Sequence, residues 1–211
     1  MTWKYYELET ACLAYADRYD IDVDRSLRWM VPLAESRMSR IMRQREMSVD
    51  YLITIDGSEA YDLPSDFAGL RDINIDGKAS LHYLNPEQMN NQRNYVGGKT
   101  YYSIIGNKLH IVPTLNGDGS IKLYYYQRLS PVYNWEDPAY KGNTNWLLQT
   151  HPDIYRLAVC AEIEEFVKND VRADMMRNQL YRMFAEMHTS DWKDRWSGNS
   201  LATRLETNRG T

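Results

Sequence analysis

Leu70-Arg71-Asp72-Ile73-Asn74-Ile75-Asp76-Gly77 decides how the middle of this 211-residue chain is read. Apolar and polar residues alternate towards its end, the period of a half-buried strand. It closes on Asp-Gly, a pair suited to the positive φ of a tight hairpin turn. Similar units surround it. Upstream, Tyr51-Leu52-Ile53-Thr54-Ile55 is a β-rich run ending in Asp56-Gly57. Downstream, Leu81-His82-Tyr83-Leu84 precedes Asn85-Pro86-Glu87, which opens a short helix. Strand patterns return at Thr100 to Ile105, at Leu109-His110-Ile111-Val112 after Gly106-Asn107, and at Ile121 to Gln127 after Gly117-Asp118-Gly119. Signals recurring at such short intervals predict a small antiparallel sheet or barrel.

Both flanks change to helical spacing. Leu8, Ala11, Cys12 and Tyr15 recur as one helix face. After a break at Tyr19-Asp20, with Asp22 or Asp24 as candidate cap, Leu27, Val31, Ala34, Met38, Ile41 and Met42 form a second stripe. Pro32 predicts a kink there, or the first turn of a longer helix. Arg37, Arg40, Arg43 and Arg45 lie opposite the stripe, either as a solvated face or as a contact for an acidic partner or a DNA backbone. On the far side, residues 129–150 read as a long connection. Helix resumes at His151-Pro152-Asp153, with Pro at the first helical position. After a break at Asn169-Asp170, Met176, Leu180, Met183 and Met187 form a last stripe.

The expected fold is therefore α+β: a helical bundle formed by N- and C-terminal helices, a central antiparallel β subdomain, and an extended C-terminal arm. The expected boundaries are 1–49 for the N-terminal helices and 50–128 for the β subdomain. Residues 129–150 form the connecting loop, 151–189 the C-terminal helices and 190–211 the arm. Two helical ends separated by a sheet bury their stripes most simply against each other.

Composition narrows function by exclusion. Apolar residues make up 43% and charged residues 26% of the chain, enough for a real core. The net charge of −4 argues against a stable grip on DNA phosphates, which needs clustered Lys and Arg. No apolar run reaches a membrane span, and the start does not read as a signal peptide, so synthesis in the cytoplasm is expected. Tyrosines number 17 against 3 phenylalanines, which suits half-wet interfaces or simply strands. Cys12 and Cys160 read as two buried small hydrophobes.

The search for chemistry returns little. Asp20-x-Asp22-x-Asp24 resembles the opening of a calcium loop, but Arg25 stands where Gly is needed and Val31 where the closing Glu belongs. His82, His110, His151 and His188 lack partners at metal-ligand spacing. Gly97-Gly98-Lys99-Thr100 has no earlier Gly at P-loop spacing and leads into a strand. Glu162, Glu164 and Glu165, and Asp62 with Asp66, read as solvated acidic faces. Tyr124-Tyr125-Tyr126 could serve a glycan platform, except that alternation sends Tyr125 to the opposite face from its neighbours. No catalytic residue, metal site or cofactor is expected.

Four segments, in order, resemble the head-to-tail adaptor proteins of tailed bacteriophages. They are Val31-Pro32-Leu33-Ala34-Glu35-Ser36-Arg37, Tyr61-Asp62-Leu63-Pro64-Ser65-Asp66-Phe67, Leu123-Tyr124-Tyr125-Tyr126, and Asn143-Thr144-Asn145-Trp146-Leu147-Leu148 running into His151-Pro152-Asp153-Ile154-Tyr155. The resemblance implies a structural virion protein at the head–tail junction and no enzyme. It implies a ring of about twelve copies below the portal protein, extending the DNA channel and receiving tail or nozzle proteins. DNA would pass without sequence-specific binding, and no membrane is involved. It also implies a C-terminal arm that holds the portal. Trp192, Trp196, Leu201 and Leu205, sparse apolar residues in polar sequence, are the candidate portal-binding anchors; the competing reading folds both tryptophans back on their own helices. A glycan- or receptor-binding module of the tail, or another neck or tail-completion protein, is the alternative.

Overall fold

The structure, a computed structural model, describes residues 3–17, 19–76, 79–92, 99–115, 117, 119–134 and 136–196. Two helices come first, α1 (Tyr5–Ala16) and α2 (Ile21–Ile41), and a 3-10 turn at Arg45–Met47 follows. The strands are β1 (Ser48–Thr54), β2 (Ala60–Asp62), β3 (Phe67–Ile75), β4 (Ala79–Ser80), β5 (His82–Tyr83), β6 (Tyr101–Ile105), β7 (Lys108–Val112) and β8 (Ser120–Gln127). A short helix, α3 (Pro86–Gln92), separates β5 from β6. A 3-10 turn at Tyr140–Gly142 then leads to α4 (Trp146–Thr150), α5 (Pro152–Phe166) and α6 (Asp170–Trp196). The fold is α+β, with helices before and after the strands.

The helical core is built around α5, which is packed by α1, α2, α4 and α6. Burial runs without a gap from Leu157 to Glu164, as befits a helix enclosed on most sides. Pro152 opens it at the first position, and Asn145 caps α4 by accepting the Leu148 amide at 2.9 Å. Cys12 and Cys160 meet across α1 and α5 as free, buried thiols.

Several helical details depart from the sequence reading. The N-cap of α2 is Asp20, with no side-chain cap bond; Asp22 and Asp24 sit in the first turn, where carboxylates favour the helix dipole. Pro32 lies inside the 21-residue helix, which excludes the helix-start reading and leaves that of a proline within the stretch; its neighbours Val31 and Ala34 are buried. In α1 the buried face is Tyr5, Leu8, Cys12 and Ala16, while Tyr15 stays exposed with Arg156 over its ring. Ile41 is exposed, and Phe184 joins the last stripe more deeply than Met183 or Met187. The expected arm does not begin at residue 190: α6 runs on to Trp196. No Gly or Pro occurs between Asp170 and Trp196, so the strongest helix-breaking residues are absent from that span.

The strands form two four-stranded sheets, ordered β1-β8-β3-β4 and β2-β7-β6-β5. Residues from both fill one small core: Ile73, Ile121 and Leu123 from the first, Tyr61, Leu109 and Ile111 from the second, with Leu63 and Leu81. One pair is not antiparallel. His82 and Tyr83 run parallel to Tyr101 and Tyr102, because α3 carries the chain back across before β6. A register shift between Leu70 and Asp72 explains how Leu70 and Ile73, three apart, both turn to the core. Gly106, at φ 61, makes the β6–β7 hairpin turn that a side chain would strain.

Candidate functional site

Two polar junctions bring together the sequence blocks singled out above. The first lies inside the helical core. Glu35 projects from α2 and is 5% exposed. Its Oε1 accepts the Tyr155 hydroxyl from α5 in a short hydrogen bond and the Val132 amide at 2.8 Å. Asn145 donates to the Tyr155 hydroxyl at 3.3 Å and to the Ser130 carbonyl at 2.7 Å. One buried carboxyl therefore fastens the connecting segment to α2 and α5. Burial pushes Glu35 up to about 7, against the opposing pull of its two donors. Burial, then the Glu35 carboxyl, push the Tyr155 phenol well above its ordinary range.

The second junction holds the β module. Tyr125 turns inward, as alternation along β8 requires, and its hydroxyl donates to Asp66 at 2.8 Å. Burial and that carboxylate push its phenol up to about 12. Phe67 stacks on the Tyr125 ring, and the Asp66 carbonyl accepts the Arg128 amide at 2.7 Å. On the other side Arg43 donates to the Ser39, Met42 and Ala68 carbonyls, so it closes the end of α2 and reaches β3. A cleft of about 590 Å³ lies between the two junctions, lined by Pro32, Glu35, Arg40, Arg43, Phe67 and Arg128 among others.

Of the three acidic residues expected on a solvated face of α5, Glu165 is exposed and the other two are not. Glu162 and Glu164 are buried. Glu162 pairs with Arg37 at 3.1 Å, and burial raises its carboxyl while Arg37 opposes this. Glu164 pairs with Arg172 at 3.1 Å and accepts from Asn169 at 2.9 Å. Both carboxylates are engaged in joining helices. Arg37 and Arg43 likewise leave the solvated face assigned to them, because a guanidinium can reach past the helix surface to a carboxylate or a carbonyl. Spacing within one helix could not reveal partners that lie 125 residues away.

The remaining candidates stay apart. Asp62 pairs with Lys108 across a strand pair, away from Asp66. His82 lies against Tyr101, His110 is half-buried on β7, His151 precedes α5, and His188 is exposed on α6. Among the described residues no group of three or more His, Cys, Asp or Glu is placed to hold a metal ion, and no helix is long and apolar enough to cross a membrane. Trp192 and Trp196 fall in the last turns of α6, with side chains outside the described residues. Leu201 and Leu205, and Gly97-Gly98, lie outside them altogether.

A helical platform that ties its own loop down, and a small β module held to it by side-chain bonds, have the character of a structural scaffold. The chain belongs to the family described as SU10 adaptor protein, whose sequence model matches residues 3–204. It is a phage head-to-tail adaptor, a structural component of the virion that associates with other head and tail proteins. No protein with a curated description matches it.

Proposed function

We propose that this chain is a ring-forming neck subunit: about twelve copies assemble below the portal, continue the DNA channel and receive tail components. The observation that carries this reading is the family match over residues 3–204. The internally bonded helical core supports it, since a subunit that keeps its shape can repeat one heterologous contact until a ring closes. The acidic balance, net −4, suits a conduit that DNA passes without being trapped. In this reading the β module of residues 50–128 is one subdomain on a helical base of residues 1–49 and 151–189, joined by 129–150. The last turns of α6 and the residues that follow hold the portal through Trp192, Trp196, Leu201 and Leu205. Neither a catalytic centre nor a cofactor takes part.

Mixing purified chain with its portal ring and imaging the product tests this. The expected result is one ring of adaptor density below the portal. A chain ending at Trp196 should keep its thermal stability and lose portal binding, and so should a Trp192→Ala, Trp196→Ala pair in the full chain. Unimpaired binding by both would remove the docking role. Absence of any ring on the portal would remove the whole reading.

A further inference from the structure

One face of α2 is used by neither core. Asp22, Ser26, Trp29, Leu33, Ser36 and Arg40 succeed one another at spacings of four and three, so they form a single stripe along the helix. Asp22, Trp29, Leu33, Ser36 and Arg40 are exposed and Ser26 is half-exposed. Trp29 is 64% and Leu33 57% exposed, unusual for large apolar groups at the centre of a well-packed helix. The stripe is acidic at its start, apolar in its middle and basic at its end.

That order is self-complementary when the direction is reversed. An antiparallel second helix, related by a two-fold passing between residues 29 and 33, sets Trp29 opposite Leu33, Ser26 opposite Ser36, and Asp22 opposite Arg40. These are the pairings that antiparallel helices with alternating four- and three-residue spacing make. Asp22 and Arg40 cannot meet within one chain, because about 27 Å of rigid helix separates them. Shallow clefts border the stripe on both sides, one lined by Ser26, Met30, Leu33 and Phe166, the other by Arg28, Pro32 and Tyr133, with Trp29 lining both. The neighbouring Arg25 would face Arg37, whose charge is already met by Glu162 and Glu165.

We propose that this stripe of α2 is a docking surface for a second copy of the same chain, forming an isologous antiparallel pair. The pair is separate from the ring: its contact is symmetric, whereas a ring repeats a heterologous one. It covers Trp29 on chains not yet built into a virion.

The test is sedimentation of the full chain without portal, joined to cysteine cross-linking. A dimer is expected, weakened at least about tenfold by Trp29→Ala with Leu33→Ala. Asp22→Arg or Arg40→Asp alone should weaken it, and the two together in one chain should restore it. Trp29 and Leu33 are exposed, so their replacement should leave circular dichroism melts unchanged at concentrations where the chain is monomeric; the charge reversals sit in the end turns of α2 and should each lower the melt slightly. In a Ser26→Cys, Ser36→Cys chain, oxidation should give a closed dimer, since about 15 Å of helix keeps the two thiols of one chain apart. A ladder of higher species would mean head-to-tail contact and overturn the proposal. So would a chain that stays monomeric at every concentration, with Trp29 covered by portal or by residues 197–211 instead. A dimer indifferent to these substitutions would overturn it as well.

Discussion

The helical core and the β module are held together by different means. The helical core buries three carboxyl groups, Glu35, Glu162 and Glu164, and gives each a partner on another element. In the β module the ion pairs Lys108–Asp62 and Lys122–Asp50 are partly or largely exposed, and the interior is mainly aliphatic, with Tyr61, Tyr125 and the small Ser103 as its buried polar side chains and no buried carboxyl group among the described residues. A buried polar network adds specificity more surely than stability, because desolvation offsets much of what pairing returns. The contrast teaches that the helices fix one arrangement of the chain. The β module depends more simply on apolar area and cross-strand neighbours.

The strongest way to break that contrast is to open a cavity in each region. Leu147 and Leu109 are both fully buried. Leu147→Ala and Leu109→Ala should each cost about 3 kcal/mol in denaturant unfolding. Hydrogen exchange should separate them: the Leu109 cavity should speed exchange in β2, β6 and β7 before α5, and the Leu147 cavity should do the reverse. Equal acceleration everywhere would show one undivided core.

Stability should also depend on pH through the helical core. The folded chain holds a proton on Glu35 up to about 7, above the ordinary 4.5, so it binds that proton more tightly than the unfolded chain. The stabilising contribution is complete below about 4.5 and is lost as pH rises through about 7. The loss should approach about 3 kcal/mol. Glu35→Gln, which mimics the protonated form, should flatten this part of the stability profile and at pH 8 equal or exceed the unsubstituted chain. An unchanged slope would detach the effect from Glu35.

Smaller effects are expected at single bonds. Arg172→Ala leaves Glu164 buried with only Asn169 beside it, and should cost about 1–2 kcal/mol. Tyr125→Phe removes the bond to Asp66 and keeps the stack on Phe67, so thermal melts should report about 1 kcal/mol. Lys108→Ala, at an exposed pair, should change stability by less than about 0.5 kcal/mol.

Local signals carried the elements well. Pro152 at a helix start, Gly106 in a hairpin and the Asn169-Asp170 break are decided by backbone chemistry near each residue, and they lie where the pattern put them. The parallel β5–β6 pair was not legible, because two-residue strands carry no direction in their sequence. The continuation of α6 past Ser190 is not legible in composition, because polar residues there are equally compatible with a solvated helix and with a tail. At the junctions the residue blocks were visible but their meeting was not. Glu35 and Tyr155 are 120 residues apart, and only the packing of α2 on α5 brings them together.

The proposed role of this chain is that of a ring subunit at the junction of head and tail. Electron microscopy of intact virions, with the chain located in the density, tests it most directly. About twelve copies are expected in one ring against the portal, their helical cores in mutual contact. A single copy per virion, or copies found only at a distal tail tip, would contradict it.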